Sequence, residues 1–156
     1  MTKTLRELFP DEVFTEHELE AEAQMNEDER AIDQRLSGKP RPHDKYVLNE
    51  EHVAIPVGLG TWAVWWLERP AKRIVKQEDV GEFVVSTVFL GLDHSHWFGG
   101  PRQLFETMIF TQQGKRGHDV YCDRYATWAQ AVAGHERTIV KLRAGTLFEK
   151  ESSNEP

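Results

Sequence analysis

Apolar and polar positions divide this chain into stretches of different period. Phe83 to Leu92 (FVVSTVFLGL) is dense in β-branched and aromatic residues and predicts the central strand of a sheet. Leu104 to Phe110 (LFETMIF) predicts its antiparallel partner, and Arg73 to Gln77 and Val120 to Tyr125 predict further strands. Two short extended pieces fall at Tyr46 to Asn49 and His52 to Val57, ending at Pro56 and Gly58. Leu59, Trp62, Trp65 and Trp66 then recur at helical spacing up to Arg69-Pro70, although alternate positions would also suit a strand. The clearest helix comes last. Thr127-Trp128-Ala129-Gln130 has capping-box form, and Trp128, Val132, His135, Ile139 and Leu142 make one apolar stripe that Gly145 ends. One helix across one face of a mainly antiparallel sheet is a two-layer α+β domain.

The first 44 residues differ. Thr15 to Glu18 predicts a second capped helix that runs to Leu36 and stops at Ser37-Gly38, before Pro40 and Pro42. Its apolar positions (Leu19, Ala23, Met25, Ile32, Leu36) form only a thin stripe. Residues 1–40 hold 5 basic and 11 acidic residues, leaving 14 and 15 for the remainder, so nearly all of the net charge of -7 lies in the first quarter. Every Trp and Tyr lies at or after Tyr46. These contrasts predict an acidic, partly helical arm over 1–44, a compact domain over 45–145 and a polar tail over 146–156. The arm is expected to lie loosely on the domain and to be dispensable for folding; a partner-binding or DNA-mimicking helix is the sharper alternative.

At 156 residues the chain is one domain's worth. No apolar run approaches a membrane span, and the N-terminus lacks the apolar core of a secretory signal, which implies a cytoplasmic protein. Cys122 stands alone, which excludes an internal disulfide and a Cys-rich zinc site. The negative charge argues against broad binding to nucleic-acid phosphates.

In order and wording the motifs resemble a family of small uncharacterised bacteriophage and prophage proteins. The resemblance rests on Trp62-Ala63-x-Trp65-x-x-Glu68, Val85-Ser86-Thr87-Val88-Phe89-Leu90-Gly91-Leu92-Asp93-His94, Leu104 to Phe110, and Arg124-Tyr125-Ala126-Thr127-Trp128-x-x-Ala131-x-x-Gly134-His135. It covers residues 45–143; the acidic arm and the His96-Trp97 insertion lie outside it. It implies a phage or prophage origin, in the cytoplasm of a bacterial host, and carries no reaction with it.

GxGxxG, Walker A, HExxH and GxSxG motifs are all absent. The most suggestive cluster is Asp93-His94-Ser95-His96-Trp97, after the central strand. Asp93, His94 and His96, with Glu106 on the pairing strand, are candidate ligands for Zn, Mn or Fe. The plainer reading is a loop in which Asp93 caps a turn and His94 bonds to backbone. Glu106 interrupts an apolar strand, so it is either a carboxylate with a raised pKa, suited to acid–base work, or the ion-pair partner of Arg124. His135 is a core histidine on its stripe, or a catalytic or ligating group. Trp62, Trp66 and Trp97 are candidate binding residues, with core packing as the plainer reading for the group at Trp62, Trp65 and Trp66.

The leading expectation is a non-enzymatic accessory protein, without a cofactor, that binds a host or phage protein; inhibiting a host defence or metabolic function is one form of this. A metal-dependent hydrolase or nuclease using Asp93, His94, His96 and Glu106, with His135 as a further candidate, is the alternative. A third reading is a small protein that sequesters a nucleotide at the Trp group.

Overall fold

A computed structural model describes residues 2–36, 44–95, 100–111 and 121–147. His96, Trp97 and most of the predicted tail lie outside the described residues. The fold is α+β. The chain runs through α1 (Leu5–Leu8), α2 (Glu16–Leu36), β1 (Tyr46–Leu48), β2 (Ala54–Pro56), α3 (Leu59–Glu68), a 3₁₀ turn (Pro70–Arg73), β3 (Ile74–Val80), β4 (Phe83–Phe89), β5 (Phe105–Thr111), β6 (Cys122–Tyr125) and α4 (Trp128–Arg143). β1 and β2 form a small antiparallel pair, and β3-β4-β5-β6 form an antiparallel sheet in chain order.

The predicted hairpin sits in the middle of that sheet, with Phe83 opposite Thr111 and Phe89 opposite Phe105. Alternation along β4 and β5 sends Val85, Thr87, Phe89, Phe105, Thr107 and Ile109 to one buried face. α4 packs across that face and meets all four strands. Val84, Ser86, Val88, Glu106, Met108 and Phe110 occupy the other face and are half-buried. Thr127 caps α4, its hydroxyl accepting from the Gln130 N–H at 3.2 Å.

The N-terminal region is not the loose arm expected from its composition. Leu5 is 0% exposed and Phe9 1%. Both belong, with Phe14, to the core cluster that holds Tyr46, Trp65, Phe89, Phe105 and Tyr125. Large apolar groups are few there, and Val13, Ile32 and Leu36 are exposed, but Leu5, Phe9 and Phe14 are placed inward.

Polar groups hold the same region in place. α3 begins at Gly58 with no side-chain cap of its own. Its free N–H groups are instead met from α2: Leu59 donates to Glu29 at 2.6 Å and Gly60 to Asn26 at 2.8 Å. The buried Glu22 carboxylate accepts from the Leu5 N–H at 2.7 Å and from the Thr61 hydroxyl at 2.6 Å. Arg69, at the far end of α3, reaches back to Glu12 at 2.8 Å and Glu18 at 3.3 Å, with its guanidinium 4.4 Å from the Phe14 ring centroid. These contacts run in opposite order along the two helices, so α2 and α3 are antiparallel. Gly60 is required for the approach, because a Cβ there would stand 2.1 Å from the Glu22 carbonyl oxygen.

Candidate functional site

Each candidate residue is tied to its neighbours in a particular way. Asp93 caps a turn: its Oδ1 accepts from the N–H groups of Ser95 at 2.9 Å and Gln103 at 3.1 Å. The His94 N–H donates to the Gln103 carbonyl at 3.2 Å. Glu106 sits directly opposite Arg124 and pairs with it at 2.9 Å, while Cys122 Sγ lies 3.3 Å from the same carboxylate oxygen. Partial desolvation and this carboxylate push the Cys122 thiol pKa up, which keeps it protonated.

His135 lies on the other side of the sheet from Glu106, because Glu106 precedes the inward-facing Thr107. The two do not share a site. His135 is 0% exposed, and its Nδ1 stands 2.8 Å from the Thr87 hydroxyl, which is 2.6 Å from the Thr107 hydroxyl. Its Nε2 lies 3.4 Å from a Glu78 carboxylate oxygen. The result is a row of polar groups, His135–Thr87–Thr107, shut between helix and sheet, with the partly exposed Glu78 at its outer end. Burial lowers the His135 pKa against the opposing pull of Glu78. Among the described residues no three His, Cys, Asp or Glu side chains converge as a metal site would require.

Trp65 is core, edge-on to Phe89. Trp62 and Trp66 are half-buried and stacked with centroids 5.5 Å apart, and the Arg73 guanidinium lies 4.0 Å above the Trp66 ring. Their inner edge closes on Gly91, so the pair serves chiefly as a wall joining α3 to the end of β4.

The feature that the sequence reading missed is a groove between β6 and α4. It has a volume of about 610 Å³ and is lined by Asp123, Arg124, Tyr125, Ala129, Gln130, Ala133 and Arg137. Tyr125 forms the inner wall; its hydroxyl is buried against Gly134, where a Cβ would come within 2.2 Å. Burial pushes the Tyr125 phenol pKa up to about 12, so it is neutral at physiological pH. Ala129, Ala133 and Arg137 recur every four residues on the exposed side of α4 and form the opposite wall. That spacing was present in the sequence, but two alanines and an arginine carry no chemical signature.

Comparison with protein-family models, curated proteins and solved structures finds no match to this chain.

Proposed function

We propose that the protein acts by binding another protein, in keeping with its resemblance to small phage proteins, and that the β6–α4 groove is the contact surface. The groove itself carries the reading. It is open and shallow, walled by an outer strand and by short side chains, unlike the enclosed, apolar cavities that hold small molecules. Asp93, Glu106 and His135 are engaged in a turn, an ion pair and a buried network, which are structural roles. Within the described residues no helix is long and apolar enough to cross a membrane.

Affinity capture from bacterial host lysate tests the proposal. Ala133 is exposed, so Ala133→Trp fills the groove without disturbing the core. A protein retained in stoichiometric amount by the wild type and lost with Ala133→Trp, at unchanged melting temperature, is the expected result. Capture that is indifferent to Ala133→Trp would remove the groove from the account.

A further inference from the structure

We infer that the groove takes an extended peptide carrying an acidic side chain, which adds to β6 as a fifth strand and sets its carboxylate against Arg137. This rests on the binding function proposed above and names the partner's chemistry. β6 is the last strand of the sheet, and on its far side no described strand pairs with it. The outward N–H and C=O groups of such a strand are a template for another extended chain. Here the Arg124 N–H donates to the Asp123 carboxylate at 2.9 Å and the Ala126 N–H to the Gln130 side chain at 3.1 Å, and an added strand takes the place of these two side chains. The four residues of β6 offer about 13 Å of it.

The groove runs beside that edge, so a strand added there has somewhere to put its side chains. Those on the α4 side of the sheet would continue the row begun by Asp123 and Tyr125 and come to rest on Ala129 and Ala133. Larger residues at either alanine would close the space. Charge then selects the ligand. Of the two arginines lining the groove, Arg124 is committed to Glu106. Arg137 is exposed and has no carboxylate partner among the described residues. It is the available cation, whereas Asp123 repels a second carboxylate near the strand.

A second copy of the chain fits less well. Opposed residues of an antiparallel pair share a face, so a two-fold axis must pass through a residue of β6 and not between two. The two registers that keep three residues paired place Asp123 against Asp123 or Arg124 against Arg124, and like charges directly opposed are destabilising.

The test selects a display library of random peptides of about twelve residues against the full chain, with Ala133→Trp as the counter-selection. We expect the retained peptides to alternate β-forming residues around an Asp or Glu. For a synthetic copy of one, Ala133→Trp and Arg137→Glu should each lower affinity about tenfold or more, and Arg137→Lys should keep most of it. N-methylating alternate backbone amides should abolish binding in one phase and spare it in the other, because only every second amide of an added strand faces β6. Equal tolerance of both phases, or selection of helical or basic peptides, would overturn the inference. So would a concentration-dependent dimer that Ala133→Trp dissociates, which would make the occupant a second copy. Loss of host-protein capture with Ala133→Trp but no groove-dependent peptide would defeat the peptide and leave the binding function standing. Failure of both assays would defeat both.

Discussion

His135 shows how a histidine on an apolar stripe finds polar partners inside a core. A neutral ring with its proton on Nε2 turns an N–H toward Glu78 and leaves Nδ1 to accept from Thr87, whose oxygen can in turn accept from Thr107. Thr87→Val keeps the shape but strips the network of its middle member. It should cost about 1–3 kcal/mol in urea denaturation, because His135 Nδ1 is left buried without a partner. The depressed His135 pKa fixes the sign of a pH effect. The unfolded chain binds a proton near pH 6.5, and the folded chain resists it to lower pH. Stability contributed by this residue is therefore complete above that value and declines as pH falls toward the folded-state pKa. Urea midpoints measured across this window should slope in the wild type and flatten in His135→Leu. The apolar stripe of α4 revealed that His135 points inward. Glu78, its counterpart on the edge strand β3, was not legible, because only the packing of α4 across the sheet brings the two together.

Among the elements, α2 departs furthest from expectation. Its weak stripe and many carboxylates suggested a solvated helix, yet Glu22 and Glu29 are spent on α3, and Glu18 on the Thr15 cap and Arg69. Composition records how many carboxylates a helix has; it cannot record that Glu29 meets a backbone N–H thirty residues away. Glu22→Ala leaves the Leu5 N–H and the Thr61 O–H buried without their acceptor, and a loss of about 2–4 kcal/mol by chemical denaturation is expected. Glu22→Gln retains a carbonyl acceptor and should lose less. The sheet was far more legible than α2. Its strands announce themselves by β-branched and aromatic runs, and the Phe83 to Leu92 pairing with Leu104 to Phe110 follows from their proximity in sequence.

At the scale of the whole molecule, helices and sheet share a core that crosses the boundary drawn from composition. Trp65, on α3, meets Phe89 of the sheet, and Phe105 meets Trp128 of α4. Unfolding followed by tryptophan fluorescence and by far-ultraviolet circular dichroism should therefore give coincident transitions. Deleting residues 2–36 exposes the surface now covered by Leu5, Phe9 and Phe14 and removes the cap of α3. That truncation should fail to give a cooperative thermal transition; a melting temperature within a few degrees of the full chain would show the arm to be separable after all. The capping of α3 by α2 also bears on the order in which the molecule is assembled during synthesis. Asn26 and Glu29 leave the ribosome before the N–H groups they satisfy, and both helices are complete before any strand of the larger sheet has been made. The polar partners of α3 are thus made early, whereas Phe89, which covers Trp65, is made only with the sheet. In the growing chain the acidic segment that caps α3 is complete before the sheet it shares a core with has begun.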